Sequence, residues 1–401
     1  MGFIMEGLLS DIRVLDFSRV LAGPYCSMVM GDLGADIIKV EQPGIGDETR
    51  HWGPPFAAPQ ESAYFLCVNR NKRSITLDLK KPAGIEIAKA LASKSDVVLE
   101  NFAPGVMDKL GIGYEAMRAV NPAIIYCSIT GFGPDGPLCN RTGYDLVVSA
   151  LGGLIGITGE PDGPPVKVGV AITDVTTGIS AQGAICAALY KRQKTGKGQR
   201  IDLSLLETQV AALVNIASSY LISGKIPVRW GTAHETIVPY QGFQTNDKYV
   251  IVAIGNDQLW TRFCTLIGKP ELAEDPRFKT NPLRVQNRAE CIGVLAPIMK
   301  MHTRDEWVKL LNDNAIPCAP INSMDEVFQN PQVLHRNMVV EVDHPKAGKI
   351  KLVGIPVKYS ENKAIVRRPP PVLGEHTREI LSEVLGYDDG RIDGLKSAGV
   401  I

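Results

Sequence analysis

An excess of charge of either sign is missing from this sequence. Forty-three Lys and Arg balance 43 Asp and Glu over 401 residues. No chain-wide basic field exists to attract nucleic acid, and any anionic ligand has to be met by local cations. Paired cysteines are missing too. The eight, at 26, 67, 127, 139, 186, 264, 291 and 318, form no CxxC, which suits reduced thiols and argues against a disulfide framework or a thiolate zinc site. The six histidines (51, 234, 302, 335, 344 and 376) show no HExxH spacing, so no metal centre is expected. No run reaches the roughly 18 apolar residues of a membrane helix. The opening MGFIMEGLLSDIRVLDF lacks a basic n-region, a long apolar core and an Arg-rich presequence. The expectation is a soluble cytoplasmic protein, or a mitochondrial-matrix one if a transit peptide has been removed. Neither nucleic acid nor membrane is expected as a partner.

What is present is an ordinary globular composition with a strong alternation. Short Val- and Ile-rich runs read as strands: IRVLDF (12–17), ADIIKVE (35–41), SITLDL (74–79), DVVLEN (96–101) and IIYCSIT (124–130). Between them PAGIEIAKALASKS (82–95) has helical spacing and an early proline. Strands alternating with helices imply the α/β class, with a mostly parallel sheet covered on both faces. VTTGISAQGAICAALYKRQKTGKG (175–198) predicts a long helix stopped by glycines, and LLETQVAALVNIASSYLISG (205–224) a second one. The texture then changes. YQGFQTNDKYVIVAIG (240–255) predicts a hairpin, followed by helices near 257–268, 284–300 and 303–312. A further hairpin is expected at 339–354. The organisation predicted is a large domain beginning in 1–224, a smaller α+β domain at 225–325, and a return to the large domain over 326–401.

Two glycine motifs invite nucleotide readings. GFGPDG (131–136) matches GxGxxG after a predicted strand, but Pro134 and Pro137 interrupt where a helix must start, so an ordinary Gly-Pro loop is the better reading. TGKGQ (195–199) has Lys191 where the first glycine of a phosphate loop would lie, and reads as a helix stop. GVAITDVTTG (169–178) sets one acid, Asp174, between an apolar run and two threonines. Taken alone, Asp174 reads as the cap of a helix starting at Val175.

Laid end to end, the segments resemble the family III CoA-transferases. The residues that carry the resemblance are RVLAGPYCSMVMGDLGADIIKVEQPGIGDETR (19–50), NRNKRSITLDLK (69–80), VLENFAPGVMDKLGIGYE (98–115), CSITGFGPDGP (127–137), GYDLVVSALGGL (143–154), the Asp174 stretch, KTGKGQRIDLSLLE (194–207), WGTAHETIVPYQ (230–241) and PPPVLGEHT (369–377). WGPPF (52–56), VNRNK (68–72) and WGTAHETIVPY (230–240) resemble the branch that acts on succinyl-CoA and glutarate or hydroxymethylglutarate.

The resemblance implies a Rossmann-like large domain, a small domain, and a homodimer of two chains threaded like linked rings. It implies CoA thioesters as substrates, without a permanently bound cofactor, and transfer of CoA to a dicarboxylic acid through an aspartyl anhydride and an aspartyl-CoA thioester. Asp174 takes the nucleophile's place. An ordinary Asp, with a pKa of about 3.9, is ionised at pH 7 and needs no partner base. For CoA the family's pattern points to Val20, Leu21, Ala22, Gln42, Leu77, Lys80, Asn101, Lys109 and Tyr144, with Lys72 and Arg73 as nearby candidates for phosphate charge. For the acceptor's second carboxylate the candidates are Arg70, then Arg50 and His234. The same fold hosts α-methylacyl-CoA racemases, whose GHD motif is GYD here with Tyr144 in place of histidine; tyrosine, with a reference pKa near 10, is a poor base at pH 7. A non-catalytic acyl-CoA-binding protein is the third reading, and the intact Asp174 speaks against it.

Overall fold

The computed structural model describes residues 7–401. They cluster into two units, one of 7–154, 168–224 and 331–401, the other of 155–167 and 225–330.

The first unit is built on six parallel strands: β1 (Arg13–Asp16), β2 (Asp36–Glu41), β3 (Lys72–Thr76), β4 (Val97–Glu100), β5 (Ile125–Thr130) and β6 (Gln199–Ser204). Their spatial order is β3-β2-β1-β4-β5-β6. This is the order of a dinucleotide-fold sheet, in which the winding direction reverses between the first and fourth strands. The side chains divide as a pleated strand requires. Leu15, Ile38, Ile75 and Val98 pack on one face with Ile87 and Leu91 of α2, the helix Pro82–Ala92. Val14, Ile37, Val97 and Ile125 pack on the other face with Met30 of α1 (Ala22–Asp32) and Ile185 of α4 (Ile172–Thr195). A shorter helix, α3 (Asp145–Leu151), precedes α4 in the chain.

Three local expectations change. Strand β6 was not predicted, because QRIDLS lies at a sheet edge and keeps its charges in solvent. The single helix expected over 205–224 is two, α5 (Leu205–Ala211) and α6 (Val214–Ser223), bent by 73°; Val214 takes φ +40, outside the helical path. Finally, α4 starts at Ile172, three residues before Val175.

The second unit has a three-stranded antiparallel sheet, β7 (Tyr240–Gln244), β8 (Tyr249–Ala253) and β9 (Cys318–Pro320), with helices α7 (Asp257–Leu266), α8 (Arg288–Met299) and α9 (Arg304–Asp313). Trp260, Phe263, Leu295 and Trp307 fill its core. Residues 155–167, which the sequence reading left in the large domain, belong here: the Arg229 guanidinium donates to the carbonyls of Glu160, Pro161 and Gly163. The last 71 residues, 331–401, return to the first unit with the hairpin β10 (Val339–His344) and β11 (Gly348–Val353), then α10 (Thr377–Leu385) and α11 (Asp389–Ser397). Among the described residues no single helix is long and apolar enough to cross a membrane, and no group of His, Cys, Asp or Glu could hold a metal ion.

Candidate active site

Ligands of open parallel sheets bind beyond the carboxyl ends of the strands, where the winding direction reverses. In the first unit that place is the gap between the ends of β1 and β4. A cavity of about 240 Å³ opens there, lined by Arg19–Ala22 after β1, Asn101 and Phe102 after β4, and Tyr144 and Asp174 from across the gap.

The β1–α1 turn is held from two sides. The Asn101 amide oxygen accepts the Arg19 N–H at 2.8 Å, and its nitrogen donates back to the Arg19 carbonyl at 2.7 Å. Val20 stands at φ +69, a conformation that costs a β-branched residue about 1–3 kcal/mol and persists only where surroundings impose it. Buried Lys39 imposes part of it, donating to the Ser18 carbonyl and to Asp47, both at 2.9 Å. Burial works against the Lys39 charge, but Asp47, Asp16 and Glu41 outweigh it and hold the ammonium above its usual range. The strained turn brings the first residues of α1 to the cavity wall.

Asp174 lies in the first turn of α4 but does not cap it. The capping acceptor comes from α3: one Asp145 carboxylate oxygen takes the N–H groups of Thr173 at 2.8 Å and Asp174 at 3.2 Å. Thr173 is pinned further, by Ser149 at 2.9 Å and Gln209 at 2.6 Å. The Asp174 carboxylate itself has no hydrogen-bond partner among the described residues. Its helix neighbours Ala171 and Val175 join Val20, Leu21, Tyr25 and Tyr64 in an apolar cluster. Burial pushes the Asp174 carboxyl up to about 7, and the Asp145 charge adds to the shift. The ionised Asp expected from reference values is therefore corrected: near pH 7 this group is poised between its two forms. Tyr64 responds to the same surroundings; burial, then the Asp174 charge, push its hydroxyl up to about 12.

Of the residues the sequence marked for CoA, Val20, Leu21, Ala22, Asn101 and Tyr144 line this cavity together with Asp174. Gln42, Lys80 and Lys109 are exposed elsewhere, and Leu77 is a core residue. Four basic candidates are corrected, because each is buried in an ion pair. Lys72 donates to the Pro24 carbonyl and Asn69 at 2.9 Å, with Asp16 at 3.5 Å; its burial brings it down to about 8. Arg73 is tied to Asp36, Glu379 and Glu383. Arg70 grips Asp32 with two nitrogens, at 2.9 and 2.6 Å, and gives the third to the Val353 carbonyl. Arg50 grips Glu41 at 2.8 and 2.9 Å over the Phe65 ring. None of these guanidiniums is free for a substrate carboxylate. His234 lies in the second unit, where its Nδ1 accepts the Thr236 N–H and its ring meets Tyr240 edge-on.

The cavity's own cations were missed. They are Arg19, stacked 4.7 Å over Phe102, and Arg141, 5.8 Å over Phe132. Arg19 opens the RVLAGP stretch (19–50) already singled out, and Arg141 stands two residues before GYD (143–145). Asp145, the D of GYD, was missed as well. The arrangement joins an unengaged carboxylate, a strained turn at a helix start and two guanidiniums, which is a set suited to covalent chemistry on an anionic ester.

The model of the family described as CoA-transferase family III matches residues 9–377. Succinyl-CoA:glutarate CoA-transferase of Homo sapiens is 51% identical over 393 residues, covering 98% of this chain and 90% of that protein. Succinate–glutarate CoA-transferase of Agrobacterium fabrum is 42% identical over 381 residues, covering 94% and 95%. Among solved structures, a CAIB/BAIF family protein from Brucella suis superposes with a TM-score of 0.86 at 42% identity, covering 94% of this chain and all of that one.

Proposed function

We propose, for a chain that belongs to CoA-transferase family III, that it carries CoA from succinyl-CoA to a dicarboxylic acid such as glutarate. The similarity to succinyl-CoA:glutarate CoA-transferases over nearly the whole chain supports these substrates. The observation that carries the mechanism is the Asp174 carboxylate, in the cavity wall and unengaged because Asp145 serves as the helix cap.

In the proposed sequence ionised Asp174 attacks the thioester carbonyl of succinyl-CoA. The C–S bond breaks, leaving a mixed anhydride and CoA thiolate. The thiolate attacks the Asp174 carbonyl, giving an aspartyl-CoA thioester and free succinate. Glutarate attacks that thioester, forming a second anhydride and releasing the thiolate again. The thiolate then takes the glutaryl group and Asp174 is regenerated as carboxylate. No water is consumed, so the activation of the first thioester is kept in an anhydride or a thioester at every step. Arg19 and Arg141 supply the positive charge for the CoA phosphates and the acceptor's far carboxylate, roles the buried Arg50, Arg70, Lys72 and Arg73 are too committed to fill. Tyr144 is half-exposed on the lip of the cavity, a setting that gives proton exchange at a racemase's α-carbon no buried base.

The proposed enzyme is a homodimer. Leu221 and Ile222 on α6 are 79% and 87% exposed, and Val214 67%. An apolar face of this kind on a soluble protein marks a protein interface.

The test offers succinyl-CoA to glutarate, hydroxymethylglutarate, malate, itaconate, oxalate and carnitine, and reads new CoA esters by mass. Glutaryl-CoA formed by wild-type protein and lost in Asp174→Asn is the expected result. Full activity of Asp174→Asn removes Asp174 from the chemistry.

A further inference from the structure

The N-terminal ends of β1, β2 and β3, at the far end of the sheet from the catalytic cavity, open on a second cavity of about 350 Å³. Its walls carry four guanidiniums, from Arg13, Arg73, Arg367 and Arg368, against three carboxylates, from Asp36, Glu379 and Glu383. The carboxylates are largely committed to two of the cations. Asp36 is held by Arg13 at 2.8 Å and by Arg73 at 2.6 Å, and Arg73 reaches Glu379 at 2.9 Å and Glu383 at 2.7 Å.

The other two guanidiniums are short of counter-charge. Arg367 donates to the carbonyls of Gly31 and Ala35 at 2.8 and 3.0 Å, and forms no ion pair among the described residues. Those neutral acceptors, at the end of α1, fix its position without neutralising it. Among the described residues the guanidinium of its neighbour Arg368 reaches only His376 at 3.5 Å and Glu379 at 3.9 Å, and is half-exposed. Burial holds Arg367 below its ordinary value, and the like charge of Arg368 adds to the shift while Asp36 and Asp32 oppose it.

We propose that this cavity binds a phosphate group between Arg367 and Arg368, with the Ser10 hydroxyl at its rim. A phosphate dianion has enough oxygens to accept from two guanidinium forks at once, and its charge matches two cations. Inorganic phosphate and the phosphate of a nucleotide share this chemistry. The site is independent of CoA transfer, and neither arginine lines the catalytic cavity.

The experiment titrates inorganic phosphate and, separately, AMP into the full-length protein in a phosphate-free buffer, and repeats each titration in Arg19→Gln/Arg141→Gln, which removes the catalytic cavity's cations, to set apart any binding there. Binding is read by calorimetry and by the shift in melting temperature. Saturable binding of either ligand, weakened at least tenfold in Arg367→Gln/Arg368→Gln with transferase activity unchanged, is the expected result. Inorganic phosphate binding identifies the free ion as sufficient; AMP binding alone identifies a nucleotide phosphate. Because Arg367 also braces α1, the single variant Arg368→Gln, which touches no helix carbonyl, serves if the double variant unfolds. Absence of saturable binding of both ligands, or undiminished binding in Arg368→Gln and the double variant, overturns the proposal.

Discussion

The two carboxylates at the start of α4 divide their labour, and each can be tested alone. Asp145 takes the helix N–H groups, and its charge helps keep Asp174 near neutrality in pKa. The nucleophilic form of Asp174 grows as pH rises through about 7, so the rate of the first half-reaction should fall on the acid side of that value. Asp145→Asn keeps an oxygen for the cap and removes the charge. It should shift the acid limb of the rate profile to lower pH while leaving the melting temperature nearly unchanged. Asp145→Ala should also lose about 1 kcal/mol of stability with the cap. Identical pH profiles for wild type and Asp145→Asn would remove the electrostatic role. A second consequence concerns stability. The folded-state pKa of Asp174 lies above its unfolded value, so its contribution is fullest below the unfolded pKa and is lost as pH rises through about 7. Asp174→Asn should therefore stabilise the protein increasingly between pH 5 and pH 8, by on the order of 2–3 kcal/mol, read from urea melts at each pH. A stability difference that stays flat with pH contradicts the shifted pKa.

At the scale of elements, the site depends on how closely α1 and α4 approach. A Cβ added at Gly178 would lie 2.6 Å from the Ala22 carbonyl oxygen and 3.2 Å from the Tyr25 Cβ. Gly178→Val should push the helices apart, costing about 1–3 kcal/mol and lowering turnover, because Ala22 and Asp174 face the same cavity from these two helices. Wild-type turnover in that variant would mean the spacing is immaterial. The long helix α4 was legible in the sequence, as were five of the six sheet strands, although SITLDL (74–79) put β3 two residues late, since it runs Lys72–Thr76. The start of α4 was not legible, since its cap is supplied from 28 and 29 residues away by Asp145 and a search for local capping residues meets Thr173 and Asp174, both already inside the helix. The basic candidates failed for a related reason. Arg70 and Lys72 look like a surface cluster in VNRNK, but their partners Asp32 and Asp16 lie 38 and 56 residues away. Sequence spacing shows where cations are, not which of them the fold neutralises.

For the whole molecule, strand order places the cavity: among the described residues the only reversal in the winding of the sheet is between β1 and β4, and Asn101 clamps Arg19 across it. The order itself was legible only through the family resemblance, since periodicity gives strands and not their neighbours. An exposed apolar α6 predicts association at this scale. Leu221→Asp/Ile222→Asp should lower the fraction of dimer that assembles when the unfolded chain is refolded, read by sedimentation velocity, and an undiminished dimer fraction would place the interface elsewhere. The central claim is that Asp174 bears the acyl group during transfer, and oxygen labelling addresses it most directly. In the proposed sequence Asp174 gives one oxygen to departing succinate and regains one from glutarate. Turnover of succinyl-CoA with glutarate labelled by oxygen-18 in both carboxylates should therefore leave heavy oxygen in the peptide that carries Asp174, read by mass spectrometry. A peptide that stays unlabelled while glutaryl-CoA accumulates would contradict the account.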